Sequence, residues 1–284
     1  MFVVLGASGQ IGSMLAGMLL KKGKPVRAVG RDLQKLGEIR EQGAEVLAAN
    51  MLDLKSLKEA FRGGDAAFVF TPENPRCENC IEDIRTMMDN CREALMWAGV
   101  TRVVGLSSLG AQNGRGKGNL EASYVLERTF SDLDIEHTIV RPAYYYSNWL
   151  GYIGTVRDDG ILPTFFPVDL KVPMVAPPDV AGFLSDAMIG HAPRQSVLEI
   201  MGPRDYSSND IAQAFAEAMQ RDVLPRQTLP RDWESVLVQA GFSPDAARNL
   251  VLMTKAVIDG ETKVETAEPI RLPTDFETYL MSKL

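Results

Sequence analysis

Met1-Phe-Val-Val-Leu-Gly6-Ala-Ser-Gly9-Gln-Ile-Gly12 opens the chain, and its reading decides the fold. Phe2 to Leu5 is an apolar run of strand length. Gly6, Gly9 and Gly12 follow at intervals of three, and Ser13 to Lys22 then places Met14, Leu15, Met18 and Leu19 at helical spacing. Strand, glycine turn and helix in that order form the context of a dinucleotide site. The chain turns sharply at Gly6. At Gly9 a side chain would obstruct a pyrophosphate, and Gly12 allows close packing of helix on strand. The free N–H groups at the helix start then face the phosphates, and the helix dipole favours their charge.

Outward from this unit, strand and helix patterns alternate. Pro25 to Gly30, Glu45 to Ala49, Ala66 to Phe70, Val100 to Leu106 and Glu136 to Val140 read as strands. Helices are expected over Leu54 to Phe61, Cys77 to Ala98 and Asn119 to Asp132. Gly99 closes the long one, whose stripe of Ile81, Ile84, Met87, Met88, Cys91 and Leu95 is core packing. Gly110 to Gly118 holds four glycines and is expected to be a mobile loop. This alternation predicts an α/β fold, a doubly wound parallel sheet of Rossmann type, over residues 1–142.

After Pro142 the pattern changes. Tyr144, Tyr145, Tyr146, Trp149 and Tyr152 crowd together, and prolines recur at 163, 167, 173, 177 and 178. Residues 143–284 are expected to form a smaller, mostly helical lobe, interleaved with the sheet near 179–202. Helices are expected over Asp179 to Ile189, Ser208 to Gln220, Asp232 to Gln239 and Ser243 to Asp259, with a strand over Val197 to Ile200. The aromatic cluster is either the wall of a substrate pocket or a core beneath irregular loops.

Composition narrows the function. The 284 residues carry a net charge of −7 and 45% are hydrophobic. The acidic total disfavours direct nucleic-acid binding, which needs a basic face. No apolar run approaches the roughly 20 residues of a membrane span, and a strand starting at residue 2 leaves no place for a signal peptide. The expectation is a cytoplasmic protein. Three cysteines, Cys77, Cys80 and Cys91, argue against a disulfide framework in such a chain. Cys77 and Cys80 have the spacing of redox and zinc pairs, but His137 and His191 show no ligand-like spacing to them. Thiols at the mouth of a helix, with no metal, are the expectation.

Arg31 stands at the end of the second strand, where NAD-preferring folds carry an acidic residue. Its planar fork suits a 2′-phosphate, so NADP (NADPH) is the expected cofactor, with NAD the alternative. Asp32 is expected to cap the next helix.

With Gly6, Gly9, Gly12, Val26 to Arg31, Leu106-Ser107-Ser108, Arg141-Pro142, Asn148, Asp179-Val180-Ala181 and Ser208 to Ala212 in place, nearly the whole chain resembles the NmrA-like family of atypical short-chain dehydrogenase/reductases. The resemblance implies NADPH-dependent reduction of quinones or azo dyes, or a regulator that binds the cofactor without turnover. It places Gly6, Ala7, Ser8, Gly9, Gln10, Ile11 and Gly12 at the pyrophosphate and Arg31 at the 2′-phosphate. Asn50 and Met51 fall beside the adenine, with Asn50 replacing the usual Asp. Thr71 and Pro72 fall beside the nicotinamide ribose, and Ser107 also falls at the cofactor. Tyr144, Asn148 and Trp149 are the expected substrate residues.

The catalytic position departs from the pattern. Short-chain dehydrogenases use Tyr-x-x-x-Lys on the helix before the sixth strand, the tyrosine passing the proton and the lysine lowering its pKa. With Glu127 matched to the family's glutamate, the tyrosine falls on Asn119 and the lysine on Ser123. Neither can do that work. Tyr124 with Arg128 lies one turn apart but five residues out of register. Lys117 and Tyr144 are further candidates, and the catalytic residue stays unknown at this level.

Two functions follow. The first is an NADPH-dependent oxidoreductase transferring hydride to a small flat acceptor such as a quinone. The second is a non-catalytic NAD(P)(H)-binding sensor acting through a protein partner. An isomerase or epimerase would need a strong acid/base near the nicotinamide, which the expected place does not offer. The oligomeric state cannot be read from the sequence.

Overall fold

The computed structural model describes residues 1–193 and 196–284. The chain runs β1 (Phe2–Leu5), α1 (Gln10–Lys21), β2 (Val26–Gly30), α2 (Gly37–Glu41), β3 (Glu45–Ala48), α3 (Leu54–Phe61), β4 (Ala66–Phe70), α4 (Cys80–Ala98), β5 (Arg102–Leu106), α5 (Asn119–Phe130) and β6 (Glu136–Pro142). There follow β7 (Tyr144–Tyr145), α6 (Ser147–Leu150), α7 (Ile153–Asp159), β8 (Ile161–Thr164), β9 (Val172–Val175), α8 (Pro177–Met188) and β10 (Ser196–Met201). The last elements are β11 (Asp205–Tyr206), α9 (Ser208–Met219), β12 (Leu224–Gln227), α10 (Trp233–Gln239), α11 (Pro244–Ile258), β13 (Ile270–Arg271) and α12 (Phe276–Met281).

Eight strands form one parallel sheet in the order β13-β10-β6-β5-β4-β1-β2-β3. Side chains of a strand alternate between its faces, and here both faces are covered. Val4, Ala28, Phe68, Val104 and Val140 join α1 (Leu15, Leu19) and α8 (Val180, Leu184, Met188) in one core. Val3, Leu5, Val29, Ala67, Val69, Val103 and Ile139 join α3, α4 and α5 through Leu57, Phe61, Met88, Cys91, Leu95, Leu126 and Phe130 in the other. This is the doubly wound α/β arrangement that the alternation predicts. The strand order reverses between β1 and β4, β1 pairing with both β2 and β4. A crevice outside the carboxyl ends of the strands opens at such a reversal.

β10 and β13, from the later half of the chain, extend this sheet beyond β6. The rest of that half forms a smaller region with its own core around Tyr146, Trp149, Tyr206, Phe215 and Phe276. It holds two small sheets as well as helices: β7 and β11 flank β9, and β8 pairs with β12.

Three local expectations are corrected. α1 starts at Gln10, not Ser13, because Gly12 belongs to its first turn. α4 starts at Cys80, not Cys77. Asn74 closes a turn by accepting from the Arg76 and Cys77 N–H groups, and Asn79 accepts the first helical bond from Asp83. The loop over Gly110 to Gly118 is anchored by packing at both ends, while Arg115 and Gly116 between them are exposed. Gly110 lies against Thr262, and a Cβ at Gly118 would stand 1.9 Å from the Asn249 carbonyl oxygen of α11. Gly99 closes α4 in the left-handed conformation, as expected.

Candidate functional site

The glycine turn is shaped by contacts of its own backbone. Gly6 has φ +64°, and a Cβ there would lie 2.4 Å from the Phe70 ring at the end of β4. A Cβ at Gly12 would lie 2.2 Å from the Gly6 carbonyl oxygen. The first turn of α1 therefore folds directly onto the strand–helix bend, which only glycine permits. Gly9 is the N-cap and supplies no side-chain acceptor. Ala7 and Gly9 N–H groups are held by Val29 and Gly6. Those of Gln10, Ile11 and Gly12 have no acceptor among the described residues. Unsatisfied donors at a helix N-terminus, with no side chain in front of them, fit a pyrophosphate.

Beside this turn, the Ser8 hydroxyl reaches the end of β2, where a Cβ on Gly30 would be 3.3 Å away. Arg31 follows, exposed and without an ion pair or hydrogen bond among the described residues. Asp32 accepts from the Gln34 N–H at the next turn. Asn50 accepts from the Leu52 N–H through its side-chain oxygen, which leaves its amide NH₂ outward. Met51 packs against the core and its carbonyl accepts from Asn90. Thr71 and Pro72 are half-buried at the carboxyl end of β4.

The hydroxyl of Ser107 is committed elsewhere: it donates to Glu127 at 2.5 Å. Glu127 in turn holds Arg141 by two bonds of 2.8 and 2.7 Å.

The aromatic segment divides between buried and half-buried positions. Tyr146 and Trp149 are buried, and the Trp149 indole N–H points at the Met174 sulfur, 3.3 Å away. Trp149 backs Tyr144, whose ring meets it edge-on at 6.2 Å and Phe166 at 5.5 Å. Tyr144, Tyr145 and Tyr152 are half-buried and Asn148 is exposed. Burial pushes the Tyr144 hydroxyl far above the usual phenol range, against a hydrogen bond with Asn148 that favours ionisation. Tyr144 is therefore a neutral hydrogen-bonding group. Ser147, next along, donates to the side-chain oxygen of Gln10 at 3.1 Å. That bond brings the aromatic segment onto the glycine turn.

Lys117 pairs with Glu261 at 2.9 Å. Tyr124 is half-buried on α5 and Arg128 exposed. Asn119 begins α5, and Ser123, one turn on, is buried. Sequence reasoning passed over Glu73, whose carboxylate oxygen lies 3.5 Å from the Asn119 amide nitrogen. Its position directly after Thr71-Pro72 was the available signal.

The cysteine expectation is corrected. Cys77 and Cys80 form a disulfide, with Cα atoms 5.2 Å apart. The late helix start leaves Cys77 in the preceding turn, so its side chain can fold back on Cys80. Asp245 of α11 accepts from the Cys80 N–H at 2.9 Å, and its carboxylate lies within 4.8 Å of both sulfurs. Paired sulfurs offer no thiolate to a metal. No helix among the described residues is long and apolar enough to cross a membrane.

A doubly wound parallel sheet, a glycine turn with free N–H groups at its reversal point and an aromatic segment bonded to that turn define a Rossmann-type dinucleotide-binding protein. Residues 1–280 match the NmrA-like family, and the chain belongs to it. It is 26% identical over 230 residues to an NAD(P)H azoreductase of Xenophilus azovorans, covering 78% of this chain and 75% of that protein. The fold resembles that of an NADPH-dependent quinone oxidoreductase from Escherichia coli, solved with NADPH. There the TM-score is 0.82 at 19% identity, covering 100% of this chain and 99% of the other. A triphenylmethane reductase from Citrobacter sp., complexed with NADP(H), gives a TM-score of 0.81 at 19% identity and 100% coverage of both chains.

Proposed function

We propose that the protein is an NADPH-dependent reductase that passes hydride to a small flat acceptor such as a quinone. The carrying observation is the Ser147–Gln10 bond. It joins the glycine turn, fitted for a pyrophosphate, to the half-buried tyrosines that suit a flat ring. The azoreductase and quinone oxidoreductase resemblances support the same reading.

Gly6 to Gly12 would hold the pyrophosphate, Arg31 the 2′-phosphate, Asn50 and Met51 the adenine, and Thr71 and Pro72 the nicotinamide ribose. The bound cofactor supplies a hydride. Tyr144, held by Asn148, and Tyr145 would orient the acceptor over it, and the Trp149–Phe166 layer behind them would keep water out of that side. Positioning of this kind is most of what hydride transfer to a quinone requires.

One observation favours the second reading, a cofactor-binding regulator: Asn119 and Ser123 stand where a Tyr–Lys pair would be and transfer no proton. Calorimetric titration with NADPH, NADP⁺, NADH and NAD⁺, followed by a quinone and azo-dye screen under NADPH, separates the two. Turnover with NADPH establishes the reductase. Tight binding that strongly discriminates oxidised from reduced cofactor, without turnover, establishes the sensor. No binding of any of the four sinks both.

A further inference from the structure

Reduction of a conjugated carbonyl consumes a proton as well as a hydride, and the usual tyrosine donor is absent. Glu73 faces the position where that tyrosine would stand. It follows Thr71-Pro72 at the carboxyl end of β4, the strand beside the reversal point, and its Oε1 lies 3.5 Å from Asn119 Nδ2. From the other side, the phenol groups of Tyr144 and Tyr145 on β7 feel the charge of the Glu73 carboxylate. The carboxyl therefore bridges the β4 loop and the start of α5. The Tyr145 hydroxyl is buried and has no partner among the described residues. Glu73 is itself an exposed residue. The surrounding protein raises its carboxyl pKa above the ordinary range, and the hydrogen bond from Asn119 partly opposes this.

We propose that Glu73 is the proton donor of this cleft, in place of the absent tyrosine, and that Asn119 positions its carboxyl; this rests on the reductase reading above. The acceptor is a quinone or an enone. Its ring or alkene carbon, or its carbonyl, takes a hydride, which brings one electron pair, from the reduced nicotinamide. Its oxygen takes the proton as the Glu73 O–H bond breaks. The products are the reduced acceptor, the oxidised nicotinamide and the Glu73 carboxylate, which regains a proton from solvent through its exposed face. A donor with a raised pKa stays protonated closer to neutral pH, as general acid catalysis requires.

The test compares wild type, E73Q and N119A in three measurements: NADPH affinity, the pH profile of NADPH-dependent reduction of a benzoquinone and an enone, and titration of the Glu73 carboxyl. The last is followed by ¹³C NMR of glutamate-labelled protein without cofactor, the resonance being assigned by its loss in E73Q. Glu73 is expected to titrate above the ordinary glutamate value of about 4.3, and higher still in N119A. The wild-type rate is expected to fall as pH rises through that ionisation. E73Q should bind NADPH as wild type does, yet turn over roughly 10²–10⁴-fold more slowly and without that limb. N119A should move the limb to higher pH. A Glu73 with an ordinary pKa, or an E73Q enzyme with wild-type rate and profile, overturns the proposal alone. A wild-type protein that binds no NADPH, or binds it and reduces nothing, overturns the reductase reading and this proposal together.

Discussion

Arg141 and Glu127 form a two-pronged ion pair between β6 and α5, with nitrogen–oxygen distances of 2.8 and 2.7 Å. The guanidinium is buried, and its remaining arm meets Glu265 at 2.6 Å and Glu199 at 3.4 Å. Glu199 is itself satisfied by the N–H groups of Glu265 and Thr266. Arg141 is thus a clamp between the sheet, α5 and the chain leading to β13. Removing Glu127 takes away both prongs of the pair but leaves the buried guanidinium its contacts with Glu265 and Glu199. E127A is expected to lower unfolding free energy by about 1.5–3 kcal/mol in urea titration, the scale of a lost hydrogen bond to a charged group. A loss under about 1 kcal/mol, typical of surface pairs, would show that the clamp carries no such weight.

Arg31 has no partner among the described residues and follows Gly30, whose Cβ position faces Ser8 at the end of β2. If it holds the 2′-phosphate, R31A weakens NADPH binding by about 10- to 100-fold, the range of a hydrogen bond to a charged group, and leaves NADH binding unchanged. Calorimetry of both cofactors on both proteins reads this directly. An unchanged NADPH-to-NADH ratio would remove Arg31 from the site.

The Cys77–Cys80 bridge leaves Cys91 as the free cysteine. Thiol titration of the denatured, unreduced protein should find one thiol per chain, from Cys91. Burial raises the Cys91 pKa, so in the native state this thiol should react slowly. C77S/C80S should cost about 2 kcal/mol or less, since the loop closed is short. Three reactive thiols without reductant would refute the bridge.

Asp275 caps α12, accepting from the Thr278 N–H at 2.8 Å. Hydrogen bonds to Thr278 hold its carboxyl below the usual range. A depressed folded-state pKa stabilises the fold above the unfolded value of about 3.9 and loses that contribution as pH falls through the folded value. D275N is therefore expected to cost about 1 kcal/mol or less at neutral pH, and the gap to wild type should close in acid. A gap that widens on acidification would reverse this assignment.

The α/β architecture was legible because apolar runs of strand length alternate with helical stripes. Each sheet strand must be apolar on both faces, as Val3 and Val4 or Val103 and Val104 are, while α4 shows one stripe only. Element ends were less legible. Asn74 and Asn79 set the start of α4 through side-chain and backbone bonds that compete with helix formation, a competition invisible to periodicity. The packing of Gly110 and Gly118 was hidden for another reason. Glycine reads as a loop residue, whereas here it lets Thr262 and α11 approach closely.

The same division runs through the candidate site. Gly6, Gly9 and Gly12 declare themselves because their constraint is local: the turn is made from neighbouring backbone, and its chemistry follows from the spacing. Trp149 and Tyr144 look alike in the sequence, five residues apart in one aromatic run. Only the folded chain sends the indole to Met174 and leaves the phenol ring half-buried. Glu73 and Asn119, 46 positions apart, become neighbours because β4 and β5 are adjacent in the sheet and α5 begins just past β5. By itself the sequence determined the sheet, the glycine turn and the family. Tertiary structure decided which polar groups meet around the cleft, because those meetings depend on strand order and on burial, which spacing along a chain does not encode.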